Sequence, residues 1–392
     1  MSARFPIHRA EWHTGDPFPG YRTLRRVDPV HWNEESGFWA LLRYEDVRFV
    51  SSHPELFTST KGITIPDPAL GSAVQPGSLI FTDPPLHRHL RKLVLGAFTL
   101  RQVGAVEPRI TAMVDEILAN VPLRETFDFA ETLASPLPTR IIAQLLGAPE
   151  QDWERFREWS DDIIAMSDPE SRSESMEGVT GLHAYFTALI ADRRADPRDD
   201  LISQLTSADL DGEPLSDQAL YMLCWLLLVA GNETTRNLIA LGMKALLDHP
   251  EQHELVRADP DLVPSAVEEM LRWCVPVTHM ARTANQDIEI RGQTISEGET
   301  VVMLYGSANR DEDVFGDDAE LFDVRRHPNP HIAFGYGEHL CLGANLARLE
   351  SRAMFAALLT QLPPFTQQGE VVRVSATMVP GVKQMPVSLL TA

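Results

Sequence analysis

The sequence predicts a mainly α protein with small β-sheets, and three observations predict it. Most of the chain falls into long stretches whose apolar residues recur at helical spacing. β-like runs are few and short, and they lie beside Gly, Pro or polar breaks. With 392 residues, 44% apolar and 23% charged, the composition is ordinary for a folded globular protein with a large buried core.

In chain order, Phe38 to Leu42 is the first β-like run and predicts a minor β region near the N-terminus. Helices are predicted over Glu107 to Leu118, Pro149 to Met166, Gly181 to Arg194, Ser216 to Asp248, Leu262 to Trp273 and Gly343 to Leu362. Asp248-His249-Pro250 and Ala258-Asp259-Pro260 read as helix stops. Ile288 to Ile290, Thr300 to Leu304 and Met385 to Leu390 complete the strands. Two segments look like coverings. Ser59 to Ile80 is rich in Gly, Pro and Ser, and Ser167 to Val179 is polar. Either is a lid or a plain surface connection. No internal repeat is present, and length alone suggests two or three domains.

The net charge of −22 keeps the chain soluble and repels nucleic acid and anionic membranes. Cys224, Cys274 and Cys341 are too few and too scattered for a disulfide framework, which fits a reducing cytoplasm. Met1 to Pro6 contains no signal-like apolar run, and the longest apolar stretch, Tyr221 to Gly231, is half a membrane span. The expectation is a soluble, cytoplasmic protein with no membrane anchor and no nucleic-acid partner.

Cys341 carries the strongest chemical signal. It lies in Phe334-Gly335-Tyr336-Gly337-Glu338-His339-Leu340-Cys341-Leu342-Gly343, just ahead of a periodic helix. Gly337 and Gly343 bracket it, so the backbone is free to turn sharply and approach a flat partner. A cysteine at a helix start meets N–H donors and the positive end of the dipole, which lowers its pKa. A single cysteine taken alone reads as an inert buried thiol. The pattern Phe-x-x-Gly-x-x-x-Cys-x-Gly changes that: the segment resembles the haem-binding loop of the cytochrome P-450 superfamily, the haem-thiolate monooxygenases. The resemblance implies haem b with Cys341 as the thiolate axial ligand of its iron, a ligand that favours O–O cleavage.

Other stretches share the resemblance. Glu269-Met270-Leu271-Arg272 is similar to the family's Glu-x-x-Arg helix, whose two side chains share a face at i and i+3. Arg326 or its neighbour Arg325 aligns with the second arginine of that structural triad; Arg326 is the assignment made here. Ser216 to Asp248 is read as one helix interrupted at Ala230-Gly231-Asn232-Glu233-Thr234-Thr235, where Gly and Thr are poor interior residues and threonine back-bonding bends a helix. A kink with an exposed Glu and a capping Thr is the plain alternative. The run resembles the family's oxygen-activation motif, which assigns Thr234 as the hydrogen-bonding alcohol and Glu233 as the acid/base of a proton relay.

A haem brings two propionates that need cationic or hydrogen-bonding partners. By family position these are His87 and Arg91, on one helix face, together with Arg282 and His339. Between Asp83 and Glu107 no acidic residue occurs, while Arg88, His89, Arg91, Lys92 and Arg101 accumulate. In the family this helix lies beside the cysteine loop. The patch near Arg88, Lys92 and Arg101 is therefore expected to dock an acidic ferredoxin, with service to haem and solvent as the alternative.

The resemblance runs from about Pro17 to Val387 and is closest to soluble bacterial members. It implies a single triangular haem-binding domain spanning 1–392, in place of the two or three that length suggests. The implied reaction is hydroxylation with O2, the electrons passing from NAD(P)H through ferredoxin reductase and ferredoxin. Family position places the substrate pocket at Ile63 to Ile80, at Leu226, Leu227, Ala230 and Gly231, at Val277 and Met280, and at Met378 and Val379. These are mostly apolar, which favours a terpenoid, steroid, fatty acid or polyketide-like substrate. The runs Ala230 to Asn237 and Glu268 to Trp273 resemble actinobacterial members that oxidise sterols and branched lipids. Epoxidation, desaturation or oxidative coupling on the same fold stays open, as does a haem protein that binds without turnover.

Overall fold

The computed structural model describes residues 5–66, 77–165, 176–210 and 212–390. Helices dominate, and six of them build the surroundings of the Cys341 loop: α1 (Leu86–Leu95), α2 (Leu100–Ala119), α3 (Pro136–Leu145), α4 (Asp217–Asp248), α5 (Val263–Cys274) and α6 (Ala344–Gln361). Local chemistry sets their starts. Thr99 accepts the Gln102 N–H at the head of α2, Ser216 accepts the Ala219 N–H at the head of α4, and α3 begins on Pro136. The segments expected at Pro149 to Met166 and Gly181 to Arg194 form helices over Trp153–Ala165 and Met176–Ala195. Of the two proposed coverings, residues 67–76 and 167–175 lie outside the described residues.

α4 is apolar on nearly every face, as a helix through the middle of a core must be. It packs against α3, α5 and α6, and α6 also packs on α2. The interruption expected at Ala230 to Thr235 is absent, because the helix continues unbroken from Asp217 to Asp248. Thr234 Oγ1 bonds back to the Ala230 carbonyl at 2.8 Å, so the hydroxyl is satisfied inside the helix without breaking it.

The main sheet contains β1 (Val30–Asn33), β2 (Phe38–Leu41), β3 (Phe57–Thr58), β4 (His279–Ala284) and β5 (Thr300–Leu304), in the order β1-β2-β5-β4-β3. Only the β5–β2 pair is parallel, with Val302 opposite Ala40. Smaller sheets include Phe365–Gln367 with Pro386–Leu389 and Phe127–Asp128, and the Ile288–Ile290 hairpin. The chain leaves α5 through Val275, which is left-handed at φ 45°, a costly position for a β-branched residue. That turn carries Val277 and Met280 from the end of α5 to the cavity described next. Among the described residues no helix is long and apolar enough to cross a membrane.

Candidate active site

The Cys341 loop is held by its own backbone. Gly335 N donates to Ile332 O, Leu340 N to Gly337 O, and Cys341 N to Phe334 O at 2.9 Å. Gly337 has φ 69°, and a Cβ there would collide with the Ser51 carbonyl, so glycine is required. Gly343 is different. It has φ −85°, and a Cβ on it would meet no atom within 4 Å; it borders open space in the cavity wall beside Cys341. The guanidinium of Arg348 lies 4.6 Å from the centre of the Phe334 ring, and Arg91 Nη2 donates to the Leu340 carbonyl at 2.6 Å.

Cys341 is deep in the protein, yet it has exposed surface, because that surface faces the cavity. Burial pushes its thiol up, outweighing the Gly343 N–H and the charges of Arg91 and Arg348, which pull it down. The lowering expected from the helix start is therefore not the net effect here. Coordination to a metal would supply the missing drive, since a coordinating thiol is deprotonated outright.

Beside the cysteine, the structure gathers His87, Arg91, Arg282 and His339 into one cavity wall. The rings of His87 and His339 lie 4.2 Å apart between centroids. His339 Nε2 is 3.1 Å from Ser59 Oγ, and His87 Nδ1 is buried with no hydrogen-bond partner. Burial, then the neighbouring charges of Arg282, His87 and Arg91, hold His339 at about 2. Burial and Arg91 likewise lower His87, and burial lowers both Arg282 and Arg91. Nearby Asp83 is engaged elsewhere, accepting from Thr58 Oγ1 and the Ser59 N–H. So many cationic and imidazole groups in a half-buried wall call for an anionic ligand. A flat group bearing a metal and two carboxylates would satisfy all of this, with Cys341 as the metal's ligand and His87, Arg91, Arg282 and His339 as partners of the carboxylates; the residues fit a haem.

Thr234 reaches the same cavity from α4, beside Ala230, Gly231, Thr235 and Leu238. Glu233 is buried behind that wall. Its Oε1 accepts from Asn237 Nδ2 at 2.9 Å, and its Oε2 lies 3.4 Å from Arg236 Nη1. Asn237 in turn takes the Val382 N–H at 3.1 Å. The alcohol of the proposed pair therefore faces the cavity, while the acid faces Arg236 and Asn237.

The remaining wall is apolar: Leu79, Ile80, Phe98, Ile142, Leu226, Leu227, Val277 and Met280. Met378 and Val379, expected in this lining, are not part of it. Their segment runs alongside instead, with the Met378 carbonyl accepting the Thr278 N–H at 2.9 Å. Ile63 and Ile65 are buried in the packing beside β4, where the Ala281 N–H bonds the Ile63 carbonyl.

Away from the cavity, Arg272 grips Glu269 through two bonds of 2.7 Å, and donates to the carbonyls of Asn309, Ala319 and Leu321. Arg326 Nε lies 3.3 Å from Glu269 Oε2, whereas Arg325 is exposed. Glu269 also accepts from the Asp323 N–H and Asn329 Nδ2. This closed network ties α5 to the segment leading into the Cys341 loop. On the outer side of α1, Lys92 is exposed, as is Arg101 at the start of α2. Arg88 differs from them, because it pairs with Glu338 of the cysteine loop. Sequence reasoning missed Ser59 and Asn237. Only Asn237, four residues after Glu233, carried a spacing signal.

A family model described as Cytochrome P-450 matches residues 37–386. The chain is 42% identical over 386 residues to the methyl-branched lipid omega-hydroxylase of Mycobacterium tuberculosis, a match covering 94% of this chain and 90% of that protein. It is 36% identical to the linalool 8-monooxygenase of Pseudomonas putida, covering 95% of this chain and 96% of that protein. Among solved structures, it superposes on a Mycobacterium marinum cytochrome P-450 in complex with pseudoionone with a TM-score of 0.89, at 38% identity and 97% coverage of each chain.

Proposed function

Because the chain belongs to the cytochrome P-450 family of monooxygenases, we propose that it hydroxylates a hydrophobic small molecule with a methyl-branched or isoprenoid chain. The observation that carries this reading is the meeting of Cys341 and Thr234, from α6's leading loop and from α4, on one cavity whose other walls are apolar. The substrates named for the two relatives, a methyl-branched lipid and linalool, support that class, as does the pseudoionone bound to the structural neighbour. In this proposal the cofactor is haem b, and its electrons come from NAD(P)H through ferredoxin reductase and ferredoxin.

Bound haem supplies the redox chemistry by which one atom of O2 enters a C–H bond and the other leaves as water, using two electrons and two protons. The chain's own residues do the rest. Cys341 provides the thiolate. His87, Arg91, Arg282 and His339 hold the propionates, and in doing so gain the counter-charge their wall lacks. Leu79, Ile80, Phe98 and Ile142 exclude water and give the substrate an apolar surface. Thr234 Oγ1, donating to Ala230 O, keeps lone pairs to accept a proton donor in the cavity. Glu233 delivers protons to it after releasing Arg236 and Asn237.

The reduced, carbon-monoxide-bound absorption spectrum tests the assignment. The wild-type protein is expected to show a thiolate-type Soret band, and Cys341→Ser to lose it. A Cys341→Ser variant that kept the band would sink the proposal. Spin-state shifts in the haem absorption with methyl-branched and terpenoid compounds, read against unbranched ones, then test the substrate class.

A further inference from the structure

A cluster of charges beside the Cys341 loop has no role in the proposed mechanism. Glu268 of α5 neighbours the scaffold residue Glu269 but takes different partners. Its Oε1 accepts from Arg348 Nε at 2.8 Å and from Arg352 Nη2 at 2.9 Å. Its Oε2 accepts from Arg348 Nη2 at 2.9 Å and from His331 Nε2 at 3.0 Å. His331 Nδ1 takes the Ala333 N–H at 3.3 Å, which leaves Nε2 as the nitrogen that donates to Glu268. One carboxylate thus joins α5, α6 and the segment leading into the cysteine loop.

Arg348 is the member of the cluster that faces the site. Its guanidinium, gripped through Nε and Nη2, lies 4.6 Å from the centre of the Phe334 ring. Phe334 lines the cavity and its carbonyl accepts the Cys341 N–H, whereas Arg348 is not part of the lining. The cation therefore belongs to the layer behind the cavity wall. A guanidinium held bidentately by a carboxylate and stacked on an aromatic ring keeps one position. Glu268 stays anionic: burial pushes its pKa up, but hydrogen bonds from His331 and Arg348 outweigh this and hold it at about 2. Among the described residues, Arg348 and Arg352 form ion pairs with Glu268 alone, so two guanidinium groups face one carboxylate. The cluster keeps one positive charge in excess. Arg352 is the more exposed of the two, and water screens it more. The charge of Arg348 reaches Cys341, where it favours the thiolate over the thiol.

We propose that Arg348, held on Phe334 by Glu268, is a positioning residue that sets the reduction potential of the iron bound by Cys341. The inference rests on the haem-thiolate reading, because it needs a redox-active metal at that sulfur. In the step concerned, one electron passes from reduced ferredoxin, which is oxidised, to ferric iron, which becomes ferrous. No bond is made or broken, and the site gains one negative charge. A fixed cation nearby stabilises the reduced form more than the oxidised one, so Arg348 makes reduction easier.

Anaerobic dye-coupled titration of the holoenzyme, followed at the Soret band, reads the potential without turnover. Arg348→Met keeps the length of the side chain and removes its charge. Its equilibrium for reduction should be about tenfold less favourable than that of the wild type, a fall of about 59 mV for one electron. Arg348→Lys, which keeps the charge but not the bidentate grip, should fall less. Glu268→Gln still accepts hydrogen bonds from Arg348 but removes a negative charge, so its reduction should become several-fold more favourable. A loosened loop would move both single variants the same way, whereas the charge moves them in opposite directions. Arg348→Met/Glu268→Gln restores an excess of one cation and should return toward the wild-type potential. An unchanged potential in Arg348→Met, or shifts of the same sign in both single variants, overturns the proposal. Should Arg348→Met not retain haem, Glu268→Gln decides the matter, and the absence of its upward shift overturns the proposal. The carbon-monoxide spectrum keeps the two readings apart. No thiolate-type Soret band in the wild type would remove the haem-thiolate assignment itself, whereas a normal band with unmoved potentials would remove the role of Arg348 alone.

Discussion

Thr234 and Glu233 are adjacent in the chain, and the helix turns them toward different surroundings. Thr234 presents its hydroxyl to the cavity, while Glu233 is held behind it by Asn237 and Arg236. Removing the hydroxyl in Thr234→Ala should leave electron uptake intact and cut product per NAD(P)H consumed by about tenfold or more, since positioned proton transfer is worth at least that. Peroxide release measured against product formation checks this, and an unchanged ratio moves the relay to another group. The sequence motif identifies the two residues but not their division. Which way each side chain points depends on where a 3.6-residue turn places it, and on Asn237 and Arg236 competing for the acid. Met378 and Val379 missed the lining for a similar reason. Their segment is fixed by backbone bonds to Thr278, which no residue type in that stretch announces.

At the scale of elements, α5 shows what a short spacing motif conveys. Glu269 and Arg272 at i and i+3 foretell a shared face, and the structure adds full burial and a bidentate pair. The third partner was ambiguous between Arg325 and Arg326, because sequence neighbours in an irregular segment point in different directions. Burial distinguishes them: Arg326 is turned inward to Glu269 and Arg325 outward. Glu269→Ala would leave two guanidinium groups buried beside each other without their carboxylate. Breaking a buried pair from one side costs about 3–5 kcal/mol, so equilibrium urea unfolding should show a loss of that order. Glu269→Gln, which still accepts hydrogen bonds, should lose less. A loss in Glu269→Ala no larger than an ordinary surface change would mean that the network does not hold α5 to the Cys341 loop. Helix bodies were legible from apolar periodicity, with ends shifted by a residue or so at α4, α5 and α6. The expected break in α4 was not there, because threonine back-bonding is compatible with a continuous helix.

Across the whole molecule, a net charge of −22 makes a cationic patch conspicuous, and its position beside the cysteine loop is the one a docking site for the proposed ferredoxin needs. The basic run from Arg88 to Arg101 was readable as composition. That Arg88 spends its charge on Glu338 was not, since the two lie far apart in sequence and meet only through the fold. The free part of the surface is therefore Lys92 and Arg101, with Leu95 and the 75% exposed Leu100 between them. Exposed cations together with exposed leucines suit an acidic protein that must find its site quickly and leave again, as the proposed ferredoxin must. Steering of this kind raises association rates by about 10–10³-fold and fades as salt shortens the Debye length to about 3 Å at 1 M. Lys92→Glu/Arg101→Glu is thus expected to slow electron transfer from reduced ferredoxin by about tenfold at low ionic strength. At high salt its rate should converge on the wild-type rate. Arg88→Glu should also weaken transfer, but part of its effect would be a loosened cysteine loop, visible as a shifted haem spectrum that the double variant does not share. Stopped-flow reduction across a salt series separates these cases. Equal rates for wild type and double variant at low salt would place the electron donor on another face.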